Sequence, residues 1–276
     1  MDPRIVVDSC CDVTPALSKD NGILTVSLTL MLGDRNIPDD DNLDMPQFME
    51  DMKNCKDKIG SAAPSPGLYK EAFVKAHPAY AVTLSSNLSG SYASAMVGKE
   101  MAQEEGADVH VFDSKSASAG EVLIALKIGE LLRAGLQKTT IIETVENFIN
   151  QMKTYFVIEN IDNLLKNGRI GKITGKIISI LNIKPIMGSD GDGHIALFAH
   201  ARGEHQIIQK LADTIEKSNR SVEGGRIVIA HCGNPGLAEK LKQAVKLRYK
   251  FKDILIVPTR GISSVYANDK GVIMAF

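Results

Sequence analysis

The chain has no tryptophan, and aromatic residues make up only 5% of its 276 positions. Stacking platforms for bases and sugars need such rings, so that class of binder fits poorly. It also lacks an excess of either charge: 32 basic residues face 33 acidic ones, for a net charge of −1. A dedicated nucleic-acid binder carries a strong basic excess, so no nucleic-acid partner is expected. No apolar run reaches the ~20 residues of a membrane-spanning helix. The longest uncharged stretch, Ala76–Gly98, is broken by Pro78 and Gly90 and contains five serines. At most transient membrane contact is expected. The N-terminal MDPRIVVDSCCD has no basic segment followed by an apolar one, so no secretory leader is expected. Four cysteines occur, Cys10, Cys11, Cys55 and Cys232, without C-x-x-C spacing. Zinc and thioredoxin-type chemistry are therefore not expected, and a cytoplasmic location is the simplest.

What is present is ordinary for a soluble globular protein: 44% hydrophobic and 24% charged residues. The length suits one or two domains, and monomer is the default state. Short apolar runs alternate with helical patterns through the first half. Strands are expected at Arg4–Val7, Ile23–Leu32, Ala79–Leu84 and Val109–Phe112. Helices are expected at Met45–Asn54, Pro66–Ala76, Ser89–Glu105, Ser118–Arg133 and Thr139–Met152. Such alternation predicts a parallel sheet with helices on both faces. In the second half, strand Tyr155–Ile158 is followed by short helices at Ile161–Lys166 and Lys172–Leu181. Next come a hairpin through Gly188–Gly193 and a helix at Glu204–Ser218. The strand-helix-strand unit Arg226–Val257 and a final strand at Val272–Phe276 complete the chain. The expected fold class is α/β, with a first domain over residues 1–155 and a second, α+β domain over residues 156–276.

Familiar catalytic motifs fail. Gly171–Lys176 resembles a phosphate loop, but Ile170 stands where its first Gly belongs and Ile177 replaces the Ser/Thr. Asp190 and Asp192 begin like a calcium loop that no Glu closes. The acidic run Pro38–Asp44 reads as a solvated loop capping the helix near Met45. No metal site and no cofactor are expected.

Four segments share one chemistry: Asp8–Asp12, Ser61–Gly67, Ser85–Ser91 and Asp113–Ser118. Three follow expected strands. In a parallel sheet the strand C-termini gather at one edge, where ligands bind. Hydroxyls and helix N-terminal amides there make a neutral, donor-rich anion site. Each serine alone is equally a cap or turn residue. Asn163–Ser189 adds five basic residues and no acid, with Ile170, Ile173, Ile177, Ile180 and Leu181 at helical spacing. That stripe reads either as core or as a ligand wall.

Taken in order, these pieces resemble the DegV family of bacterial fatty-acid-binding proteins over the whole chain. The matching residues are Val7-Asp8-Ser9 with Asp12, Pro64–Gly67, Ser85–Tyr92, Val111–Ser118 and Asn167–Gly171. Ile229–His231 through Glu239–Leu241 fits the C-terminal segment. The resemblance implies two domains that bury one long-chain fatty acid between them. It also implies a partner, a separate fatty acid kinase that phosphorylates the presented carboxylate. The head-group contacts it implies are Ser61, where Thr is usual, with Ala62, then Ser89, Gly90 and Ser91, and Arg169 with Ile170. Arg202 and Lys172 would face the kinase. Two departures stand out. The usual Thr-Ser-Gln is Ser61-Ala62-Ala63, and a head-group His becomes Tyr266, whose phenol donates one hydrogen bond without titrating near neutrality.

A lipid carrier needs no nucleophile, in keeping with the failed motifs. The alternative is an enzyme, a phosphotransferase or acyl hydrolase using the serine-rich edge with His231 or Asp113 as base. It rests on fold-level analogy.

Overall fold

Four short apolar runs, β1 (Ile5–Asp8), β2 (Ile23–Val26), β6 (Ala79–Thr83) and β7 (Val109–Asp113), form an all-parallel sheet in the order β2-β1-β6-β7. The computed structural model describes residues 4–170 and 183–276; the helix expected over Lys172–Leu181, Lys172 included, lies outside them. Side chains alternate across each strand. Val6, Ala81 and Val111 face α3 (Pro66–Ala76) and α4 (Ser91–Glu104), with Tyr69 and Phe73 between them. Ile5, Val7, Val82 and Phe112 face α5 (Ala119–Arg133).

Helix α5 is apolar nearly all round, and Ala119 to Leu126 are all buried, as a helix enclosed on both sides requires. On its far side lies a second sheet of β8 (Thr154–Val157), β9 (Ile183–Ser189), β10 (Ile195–Arg202), β11 (Arg226–His231), β12 (Asp253–Pro258) and β13 (Val272–Ala275). Its order is β10-β9-β8-β13-β11-β12, antiparallel except for β11 with β12. Val228, Ala230, Ile273 and Ala275 point toward the α5 side. Ile227, Ile229, Val272 and Met274 point toward α8 (Gly203–Lys217) and α9 (Pro235–Arg248). Helix α6 (Lys138–Gln151) packs against α5 through Ile141 and Val145.

Helix starts follow local chemistry. Thr14, Asp44, Ser65 and Asn234 cap α1 (Pro15–Asn21), α2 (Met45–Asn54), α3 and α9, each with Pro in the first two helical positions.

The expected single strand Ile23–Leu32 divides. Val26 O accepts from Ser9 N at 3.0 Å and Leu28 N donates to Ser9 Oγ at 3.1 Å, so the chain leaves the parallel sheet there. It resumes as β3 (Thr29–Leu32), the centre of a three-stranded antiparallel sheet between β4 (Arg35–Pro38) and β5 (Ile59–Ala62). The sequence reading also missed α1, β4, β5 and α10 (Gly261–Ala267). None exceeds seven residues, too short for a periodic signal. Residues Ile161–Lys166 begin a short helix, α7 (Asp162–Lys166), as expected.

Candidate functional site

Three serine-rich loops gather at the carboxyl edge of the parallel sheet, after β1, β6 and β7. They are latched to one another through the buried carboxylates of Asp8 and Asp12 and the half-buried one of Asp113. Asp8 accepts from Cys10 N (3.1 Å), Leu84 N (2.8 Å) and the Ser91 hydroxyl. Asp12 accepts from the Ser118 hydroxyl and from Arg260 N at 2.6 Å. Asp113 accepts from Ser86 N and Lys115 N at 3.1 and 3.0 Å. Burial raises the Asp8 carboxyl, with Ser91 opposing, and pushes Asp12 up to about 7. Glu121 is fully buried, and desolvation first, then the Asp8 charge, pushes it well above the ordinary carboxylate range.

Beside this edge a cavity opens between the sheets. From the parallel-sheet side its wall takes Cys10, Leu84, Leu88, Ser89, Gly90 and Ser116–Ser118. The six-stranded sheet contributes Thr154, Phe156, Gly188, Ile195 and Ile273, Ile158 follows directly on β8, and α10 contributes Ile262, Ser263, Tyr266 and Ala267. Most wall hydroxyls are already engaged. Ser116 Oγ lies 2.7 Å from Thr154 Oγ1, and Ser263 donates to Cys10 O at 3.2 Å. The tip of the β9–β10 hairpin closes against the loops. Ser85 donates to Gly193 O at 2.9 Å, Asn87 to Asp192 O at 2.7 Å and Ser189 to Lys115 O at 2.9 Å. The close approach requires glycine at 193, where φ is +91° and a Cβ would lie 2.2 Å from Ser85 Oγ.

Polar groups converge around β5. Ser61 Oγ lies 2.8 Å from Tyr266 Oη. Gly90 approaches Ala63, a Cβ on it lying 3.7 Å from Ala63 Cβ. Asn167 donates to Ile59 O at 2.8 Å, and Arg169 Nη1 donates in turn to Asn167 O. Ser61, Ser89, Gly90, Arg169 and Tyr266 therefore share the cavity wall. The N-cap of α4 is Gly90, which offers no side-chain oxygen, and Ser89 Oγ accepts from the first amide of this 14-residue helix, Ser91 N, at 3.2 Å.

Other expected residues lie elsewhere. Ala62 is exposed and pairs with Thr29; alternation along the strand turns it away from Ser61, and Ala63 enters the wall instead. Ser91 is buried behind the wall, within 2.6 Å of Tyr69 Oη, holding Asp8. Ile170 is core. Arg202 is exposed at the end of β10, its amide bonded to Gln206 Oε1 at 2.8 Å. His231 lies outside the cavity wall, with Nδ1 unpartnered and burial lowering its pKa, and Asp113 serves as a loop latch. Among the described residues no group of three or more His, Cys, Asp and Glu side chains could hold a metal. Likewise no described helix is long and apolar enough to cross a membrane.

The sequence reading missed Lys115 and His194 in the wall, the anchoring role of Asn167, and Asp39. Asp39 opens the acidic run expected to be solvated but is only 1% exposed. Asn167 stood within the Asn-Gly-Arg-Ile-Gly motif and Lys115 within the Asp113–Ser118 segment; His194 and Asp39 carried no local signal of a role at the cavity.

Over residues 3–274 the chain matches the family model described as uncharacterised protein, DegV family. A DegV domain-containing protein from Streptococcus pneumoniae strain R6 is 34% identical, with 99% of this chain and 98% of that one covered. A DegV-family crystal structure from Ruminococcus gnavus, refined with vaccenic acid, shares 40% identity and superposes with a TM-score of 0.94, covering 99% of both chains. The Streptococcus pneumoniae fatty acid kinase B3 protein loaded with linoleic acid is 33% identical with a TM-score of 0.92, covering 100% of this chain and 99% of its own.

Proposed function

The chain belongs to the DegV family, and from that premise we propose that it binds one long-chain fatty acid in the cavity between the sheets and presents the carboxylate to a separate fatty acid kinase. The observation that carries this reading is the cavity's polarity. Hydroxyls of Ser61, Ser89 and Tyr266 and the Arg169 guanidinium gather around β5, while Phe156, Ile158, Ile195 and Ile273 line the opposite sheet. An acyl chain gains ~0.8 kcal/mol per buried CH₂, so sixteen carbons supply on the order of 10 kcal/mol before the cost of ordering and association. Neutral donors and one cation then suffice to orient a carboxylate.

The solved relatives loaded with vaccenic and linoleic acid support the ligand class. The kinase partner rests on the name of the second relative. The protein acts as a non-catalytic carrier, a monomer in the cytoplasm, with Arg202 and Lys172 toward the kinase. Its domains divide near residue 155. In support, every described strand from β8 onward joins the six-stranded sheet and every earlier one joins another.

Native mass spectrometry of protein purified from bacteria tests the ligand: an added mass of one fatty acid is expected. Protein that carries none and takes up neither added palmitate nor oleate would overturn the reading. The partner is tested by adding a fatty acid kinase and ATP and measuring acyl phosphate, which should form only when the loaded protein is present.

A further inference from the structure

Asp39 directly follows β4. Its carboxylate reaches 222 and 223 residues along the chain, accepting from Gly261 N at Oδ1 (3.1 Å) and from Ile262 N at Oδ2 (3.0 Å). These are the first two amides of α10, a helix of only seven residues. So short a helix does not hold itself together, because nucleation costs more than a few internal bonds return. Its placement must come from outside contacts, and a carboxylate at the N-terminus is the favourable partner. The contact is close: a Cβ on Gly261 would lie 2.6 Å from Asp39 Oδ1, 2.7 Å from Leu30 Cδ1 and 2.9 Å from Leu43 Cδ2. Asp12 takes the preceding amide, Arg260 N, and Asn163 Nδ2 donates to Val265 O at 2.7 Å near the other end.

Helix α10 delivers Tyr266 to Ser61. Ser61 stands on β5, which pairs with β3, and β3 pairs with β4, off which Asp39 comes. One three-stranded sheet thus carries Ser61 and also the carboxylate that holds the helix bearing Tyr266. Two hydroxyls bonded to each other consume one of their two protons and leave the second to donate to an anion. We propose that Asp39 is a positioning residue for the polar end of the cavity: by clamping the start of α10 to the three-stranded sheet, it sets the Tyr266 phenol against Ser61 and so builds the two-hydroxyl carboxylate clamp. This rests on the fatty-acid reading of the cavity.

The test is a double-mutant cycle with two ligands of equal chain length, palmitate and hexadecanol, each displacing a fluorescent fatty acid. Asp39→Asn keeps the shape and loses one acceptor. It should weaken palmitate about tenfold, the scale of one lost hydrogen bond to a charged group. Hexadecanol, lacking the carboxylate, should change by less than about twofold, and on a Tyr266→Phe background the palmitate effect should also shrink below about twofold. Equal losses for both ligands, or an undiminished loss in Tyr266→Phe, would overturn the inference. Wild-type protein that binds neither ligand would instead sink the fatty-acid reading. Should Asp39→Asn fail to fold, hydrogen exchange on the wild-type protein decides. The Gly261 and Ile262 amides should exchange as slowly as those of β13, and exchange at the rate of exposed loop amides would overturn the clamp.

Discussion

On the parallel-sheet side of the cavity, polar groups are bonded to one another. Asp8 holds Ser91 and two amides, Asp12 holds Ser118, and Asp113 holds Ser86. On the six-stranded side the wall offers Phe156, Ile158, Ile195 and Ile273, with Thr154 already paired to Ser116. The first region is directional, so a partner lost there leaves buried donors unsatisfied. The second is non-directional, since apolar burial scales with area. Serines on a ligand-binding edge are thus largely scaffold, and the groups around β5 carry the polar recognition.

The largest expected break of this contrast is a charge on the apolar side. Ile273 is 7% exposed, and Ile273→Asp strands an unpaired carboxylate, at a cost of several kcal/mol. Acyl uptake should vanish in native mass spectra, and the melting temperature should fall by about 10 °C. Removing a latch from the polar side comes next. Asp8→Ala leaves Cys10 N, Leu84 N and Ser91 without their acceptor and should cost about 3 kcal/mol in urea unfolding. Palmitate affinity in the folded fraction should change little.

A pH series sharpens the same point. Burial holds Asp12 at about 7, above its ordinary value of 3.8. The native state therefore keeps a proton that the unfolded chain releases. The resulting stability is complete below pH ~4, declines as pH rises and is gone above ~7. Between pH 5 and 7 the wild type should lose about 2 kcal/mol more than Asp12→Asn, read from urea midpoints. An equal slope in both proteins would show that Asp12 ionises normally. The smallest effect belongs to recognition. Ser89→Ala should weaken palmitate binding by about 1 kcal/mol and leave the urea midpoint unchanged. An unchanged dissociation constant would move the carboxylate away from that loop.

Much of the architecture was legible because its signals are local. Met45–Asn54 and Pro66–Ala76 match their helices to the residue, each announced by a cap and a proline. The Gly188–Gly193 turn between two apolar runs marked the hairpin. The run Ile23–Leu32 misled because its apolar, strand-favouring character carries on while its hydrogen-bond partners change at Ser27–Leu28. Ser89 and Ser91 show the same limit at the site. Two residues apart in one motif, one lines the cavity and the other holds a buried carboxylate.

Periodicity, capping and turn chemistry are properties of neighbouring residues, so the chain alone settled most of its helices, most of its strands and its family likeness. The convergence of Ser61 with Tyr266 across 205 residues and the burial of Asp39 inside an acidic run are different in kind. So is the choice of which serines face the cavity. Each depends on how three sheets pack around α5 and α10. Only that packing decides whether a polar group meets a ligand or another part of the protein.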